Sequence, residues 1–200
     1  MSRYDFLVDT YRTERLKTLS VWAQIPVERM QFRPEGRART PLEHMVHQSV
    51  SEDVWMRTML GVDIDKPALP PTETRAAFLE HYAICSAARL DVLSRQPDDW
   101  FEQVVPFFDV SRSRAWVLTR RFTHSAHHRG QLTMYLRLWG QALYSTYGPT
   151  ADTGGLFQNH AQVIYRFASV DDLLSVGASS SPPPSLPGAG GKPVTERPDR

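Results

Sequence analysis

The chain is poor in the features that would single out a secreted, membrane or nucleic-acid-binding protein. It has one cysteine, Cys85, among 200 residues, so no disulfide can form within it; this fits a reducing compartment. No stretch approaches the roughly 18 apolar residues that a membrane-spanning helix needs. The opening residues, MSRYDFLVDTYRTERLKTLS, carry charges every few positions and lack the apolar core of a secretory leader. There is no charge excess either: 23 basic residues face 22 acidic ones, a net +1. A dedicated nucleic-acid or membrane-surface binder usually shows a basic stripe. The expectation is a cytoplasmic protein with no nucleic-acid partner and no membrane span. Hydrophobic residues, at 41%, are enough for one domain with a real core.

What is present is helical periodicity. A first helix is expected from about Tyr4 to Ile25, stopped by Pro26. A second begins at TPLE, where Thr40 caps, Pro41 takes the first helical position and Glu43 completes a capping box; it runs to Leu60, before Gly61. A third is capped by Thr72 and continues to Arg95. WFEQVVPFFDV, rich in β-branched and aromatic residues, reads as a short extended segment or hairpin arm. A fourth helix runs from Ser111 to Gly140, a good terminating residue. A shorter fifth is expected between Asn159 and Val176. The fold class is therefore all-α: an up-and-down-type four-helix bundle over residues 1–176, with a short extended segment before its last helix. From 177 to 200 the chain is Pro/Ser/Gly-rich without apolar periodicity, which predicts a disordered tail.

Chemistry concentrates in FTHSAHHRGQ, on the fourth helix. At about 100° per residue, Val117, His124, His128, Gln131 and Tyr135 share a sector of roughly 60°. His124 and His128 stack one turn apart, the spacing that presents two imidazoles to one metal ion. His127 points toward the edge of that face. Neutral imidazoles on an inward face each need a hydrogen-bond partner, which sets such a pair apart from a lone core histidine. A third ligand could come from His44, His47, His81 or His160. The second helix has a core stripe of Leu42, Met45, Val46, Asp53, Met56 and Leu60, with His47 on its shoulder and His44 further round toward solvent. Asp53 reads as the partner of a core arginine, or as a carboxylate orienting a metal-bound histidine. Arg129 reads as a surface or inter-helix partner, with contact to an anionic substrate as the alternative, and Cys85 as a small buried residue. Gly130 weakens the helix, and the expected compensation is close approach of a neighbouring backbone.

Two of these stretches carry a family resemblance. HSAHHRGQLTMYLRLWG resembles the signature of the DinB/YfiT-like superfamily, in which H-x3-H runs directly into R-G-Q on the last bundle helix. TPLEHMVHQSVSEDVW resembles that family's second helix, where a histidine about eight residues before a Trp supplies the third ligand. The resemblance spans about Tyr4 to Gly155 and implies metal ligands at His47, His124 and His128, with His44 as the competing register. Asp53, His127 and Gln131 are the residues expected around those ligands. Three imidazoles leave coordination positions open, the layout of a catalytic centre, and suit zinc or nickel. Such an ion makes hydroxide available from water near neutral pH and deprotonates a bound thiol. The relatives that this sequence resembles include enzymes acting through a low-molecular-weight thiol. The resemblance thus implies S-transfer or hydrolysis of a small-molecule substrate, in a protein that forms a homodimer as relatives commonly do. The rival expectation is a non-catalytic metal-binding stress-response protein, or a bundle with a vestigial site. No catalytic acid or base can be named from spacing.

Overall fold

The computed structural model describes residues 2–175, 182–191, 193 and 195. It is mostly helical, with α1 Asp5–Gln24, α2 Pro41–Val54, α3 Arg75–Ser94, α4 Asp98–Glu102, α5 Arg114–Leu138 and α6 Val170–Ser175, and one antiparallel hairpin of β1 Val104–Phe107 and β2 Val110–Ser113. By internal contacts the chain separates into two compact units, Met1–Leu132 and Thr133–Arg200.

In the first unit, local chemistry sets most helix ends. Thr40 and Glu43 form the expected capping box: the Glu43 amide donates to Thr40 Oγ1 (3.1 Å) and the Thr40 amide donates to Glu43 Oε2 (2.8 Å). α2 does not stop at Val54. Trp55–Met59 continue in a wider π-type turn, closed by Leu60 N–H on the Trp55 carbonyl. The third helix starts later than expected. Thr74 is its cap, with Oγ1 accepting from the Ala77 amide, and Thr72 lies outside. The register is held by Arg75, which donates to the Ile25 carbonyl at the end of α1. The aromatic segment after Pro97 also divides differently. Trp100 and Phe101 belong to the short α4, the hairpin follows, and α5 begins at Arg114 instead of Ser111, because Ser111–Ser113 pair with β1.

Packing joins α1 to α3 through Trp22, fully buried against Phe78 (ring centroids 6.3 Å apart) and Tyr82 (4.9 Å). One end of the unit holds an apolar cluster that includes Leu7, Trp55, Met56, Leu93, Phe101 and Phe122. The middle is unlike this, because its centre is a carboxylate. Glu52 of α2 is 1% exposed. Its Oε1 accepts from Tyr11 of α1 (2.6 Å) and from Arg89 of α3 (3.2 Å), and its Oε2 accepts from Tyr82 of α3 (2.8 Å). Arg121 of α5 stands 3.8 Å from Oε2. Burial alone would raise the Glu52 pKa, but Arg89, Arg121 and the two phenols outweigh it and hold the carboxyl below its ordinary value.

In the second unit, Gly140 terminates α5 at φ +69°. Asp152 joins the following loop to the helix, pairing with Arg137 (2.6 Å) and accepting from the Leu143 amide (2.7 Å). The fifth helix is much shorter than expected. Only Val170–Ser175 is helical at its end, and Phe157–Asn159 form a single 3-10 turn. The intervening backbone is committed elsewhere: the Ser145 amide donates to the Ile164 carbonyl, and the Gln162 amide to that of Thr153. Half of the stretch 177–200, residues 177–181, 192, 194 and 196–200, lies outside the described residues, and the disorder expected there with it. Its described part, 182–191, 193 and 195, has neither helix nor strand. Among the described residues no helix is long and apolar enough to cross a membrane.

Removing one side of a buried ion pair strands the other. Glu52→Ala is therefore expected to lower unfolding free energy by about 3–5 kcal/mol, read as a fall in the urea midpoint.

Candidate metal centre

The capping box starts α2 at Pro41, and this register places His44, Gln48 and Glu52, each four residues apart, on its buried face. The stripe expected on α2 is found in part: Met45, Met56 and Leu60 are buried, but two placements are corrected. His44 is 2% exposed and faces inward, while Asp53 is only half-buried. The inner face of α2 carries polar residues beside Met45, Glu52 above all, because partners wait for them on other helices, which apolar periodicity does not register. His47 sits at the edge of this face, half-buried.

On α5, His128 is buried and His124 half-buried. Across the gap to α2, His47 Nε2 lies 3.4 Å from His124 Nε2, which is 3.3 Å from His128 Nε2. One ligand atom from each of the three histidines falls within 4.8 Å of the others, a grouping that could hold a metal ion. His44 stands beside this group, its ring centroid 5.3 Å from that of His128, without belonging to it.

The second ring nitrogens determine the tautomers. His128 Nδ1 is 2.8 Å from Gln131 Oε1. An amide oxygen only accepts, so Nδ1 carries the proton and the Nε2 lone pair faces the other histidines. His124 Nδ1 is 3.1 Å from Arg121 Nη1. A guanidinium only donates, so the His124 proton sits on Nε2, between the two neighbouring nitrogens. For His124 to hold an ion through Nε2 as a neutral imidazole, that proton would have to move to Nδ1, and the Arg121 contact there would be given up. Arg121 has other acceptors to retain: Ser51 Oγ (2.8 Å), the Gln48 carbonyl (3.3 Å) and Ser125 Oγ (3.3 Å). The donor set fits a divalent ion on these grounds.

The histidines are also held neutral. Burial pushes His124 down to about 3, helped by the Arg121 charge and by His128. Burial takes His128 to about 4 against the opposing Gln131 hydrogen bond, and His44 to about 3. His47 is lowered too, by burial and then by Arg39 and Arg121. The imidazoles are thus uncharged at neutral pH, as ligation requires. The site opens to a cavity of about 440 Å³ lined by Arg39, His47, Arg120, Thr123, His124, His127 and His128.

The residues expected around the ligands are distributed unevenly. Gln131 is exposed yet bonds to His128. His127 is exposed in the cavity lining, its ring 4.9 Å from that of His128. Asp53 is engaged by arginines, through Oδ1 to Arg89 (3.1 Å) and Oδ2 to Arg57 (3.5 Å). Of the roles open to Arg129, the inter-helix one is found and the surface one is not: it is fully buried and paired with Glu14 of α1 at 2.6 Å. Cys85 is buried, which raises its thiol pKa. Among the described residues, nothing lies within 4 Å of a Cβ placed at Gly130, so the close approach expected there is not found among them. Arg121 and Glu52 escaped sequence reading. The available signal was their placement on the helix faces that carry His124 and His44.

The fold and site define a helical bundle with a three-histidine constellation, and comparison with known proteins supplies the class. A model of the DinB family matches residues 1–155, and the chain belongs to that family. Among solved structures, it is similar to a DinB-like protein from Bacillus cereus ATCC 10987, with TM-score 0.63 and 17% identity, covering 70% of this chain and 95% of that one. It is also similar to a DinB-like protein from Bacillus subtilis, with TM-score 0.54 and 14% identity, covering 68% and 94%. No curated protein matches.

Two outcomes are expected. Gly130→Ala should raise unfolding free energy by about 0.5–1 kcal/mol in denaturant titration, with metal content unchanged. For chelator-treated protein, the folded histidine pKa values lie below the ordinary 6.5, at about 3 for His44 and His124 and about 4 for His128. The unfolded chain therefore binds more protons than the folded one in this range. Stability is full above pH 6.5 and lost as pH falls toward these values. Melting temperature should already decline between pH 6.5 and 4.5, above the window in which Glu52, lowered from 4.5, adds its own loss. His44→Phe together with His128→Phe should flatten that decline.

Proposed function

We propose that this protein is a divalent-metal-dependent enzyme that holds zinc or nickel through His47, His124 and His128. The observation that carries the reading is the convergence of three imidazole nitrogens from two helices, at 3.3 and 3.4 Å, beside an open cavity. A closed structural site would present four protein ligands, whereas three ligands facing a cavity leave room for substrate or water. When bound, the ion supplies a Lewis acid that favours the ionised form of a thiol or water at neutral pH. The work of the chain's own residues is positional. Gln131 fixes the His128 tautomer, and Arg121 holds α5 to Ser51 and the Gln48 carbonyl of α2 behind His124. The cavity takes a small substrate, and 440 Å³ falls within the usual range for such sites. We therefore read the activity as S-transfer from a low-molecular-weight thiol, or hydrolysis, of a small molecule.

Untagged protein purified without chelator should carry near-stoichiometric zinc or nickel by elemental analysis. His47→Ala, His124→Ala and His128→Ala should each lose it. Gln131→Ala should weaken metal affinity by about 10–100-fold. Thiol-dependent turnover of electrophiles, abolished in His47→Ala, separates an enzyme from a metal store. Wild-type protein that is metal-free and gains no thermal stability from added zinc would refute the reading.

A further inference from the structure

The two histidines of the site on α5 meet opposite partners at their second ring nitrogens. Each partner lies three residues away along the helix, Gln131 for His128 and Arg121 for His124. The Gln131 oxygen accepts, whereas the Arg121 guanidinium only donates. The contacts therefore run in one direction. Arg121 Nη1 donates to His124 Nδ1 (3.1 Å), His124 Nε2–H faces the Nε2 lone pair of His128 (3.3 Å), and His128 Nδ1 donates to Gln131 Oε1 (2.8 Å). His47 Nε2 stands beside the middle link, 3.4 Å from His124 Nε2. In such a chain each bond polarises the next. Gln131 thus prepares His128 Nε2 for an ion, while Arg121 withholds His124 Nε2 from one.

Arg121 does not depend on this contact to stay in place. It is 1% exposed and also donates to Ser51 Oγ, the Gln48 carbonyl and Ser125 Oγ. Its charge is met by Glu52, whose Oε2 lies 3.8 Å away. The bond to His124 can be given up without stranding the guanidinium.

We infer that Arg121 is a positioning residue that limits metal loading: by fixing the His124 proton on Nε2 it competes with the ion for that imidazole, and loading requires the Arg121–His124 bond to break. The inference rests on the metal reading above and adds to it a restraint built into the bundle core. Replacing Arg121 with a residue that accepts at Nδ1 gives His124 the kind of partner that His128 already has. Partners of ligating histidines shift metal affinity by about 10–100-fold, and here the shift is a gain.

The test combines NMR of isotope-labelled histidine ring nitrogens in the full chain with zinc titration against a competing chelator. In chelator-treated wild type the His124 proton should sit on Nε2, and zinc should move it to Nδ1. In chelator-treated Arg121→Gln it should already sit on Nδ1, and that variant should bind zinc about tenfold more tightly than wild type. The tautomer separates this role from a structural one, because loosened packing supplies no acceptor at Nδ1. Where an unmet Glu52 unfolds Arg121→Gln, the same readings are made on Arg121→Gln combined with Glu52→Gln, which carries no carboxylate at that position. A His124 proton on Nδ1 in chelator-treated wild type, or a variant that binds zinc no more tightly than wild type, would overturn the inference. A chain that takes up no zinc defeats the metal reading separately; Nε2–H in wild type and Nδ1–H in the variant would still uphold the hold of Arg121 on His124, and any other pattern would sink it.

Discussion

Glu52 is the constraint around which the rest of the first unit is arranged. A carboxylate 1% exposed is tolerable only if its charge is met and its lone pairs are filled. Here that requires Tyr11, Tyr82, Arg89 and Arg121, drawn from α1, α3 and α5. Each of these helices must therefore stand at one rotation and one height relative to α2. An apolar core of leucines would tolerate slippage of a helix by part of a turn; a buried ion with directional partners does not. The closer counter-ion is Arg89, at 3.2 Å against 3.8 Å for Arg121. Arg89 keeps its raised pKa because Glu52 offsets its burial, whereas Arg121 is lowered by the same burial.

The histidine site inherits this rigidity. Arg121 stands between Glu52 and His124, and it also reaches Ser51 and the Gln48 carbonyl on α2. The register that satisfies Glu52 is thus the register that faces His47 toward His124 and His128. Trp55 adds to this: its ring lies 5.5 Å from His124 and 5.6 Å from the Arg121 guanidinium, at the start of the π-type turn. Such turns shift side-chain directions by one position and often accompany functional sites. A polar core and an open cavity share one wall, which explains why the histidines are neutral without being deeply enclosed.

Much of this could be read from residues. The H-x3-H pair followed by R-G-Q, and the TPLE start of α2, indicated the family and the helical class that the family match and the fold bear out. Local signals served well where the energetics are local: the Thr40–Glu43 box and the Gly140 stop are short-range hydrogen-bond chemistry. They failed where two local solutions are equivalent. Thr72 and Thr74 are both competent caps, and the contact of Arg75 with the end of α1 favours the second. They failed also where long-range pairing won, as in 160–169, whose backbone bonds to residues near Ser145 and Thr153 instead of to itself.

The sequence by itself determined the helical class, the family, the stacked pair His124 and His128, and the near-zero net charge, because periodicity, motif and composition are properties of the linear chain. Only the tertiary structure decided that His44 is buried, that Glu52 is the centre of the bundle, and that Asp53 serves arginines. Those facts depend on which partners other helices bring, and apolar periodicity treats every polar residue as facing water. A buried polar face becomes visible only when the groups that satisfy it are in place.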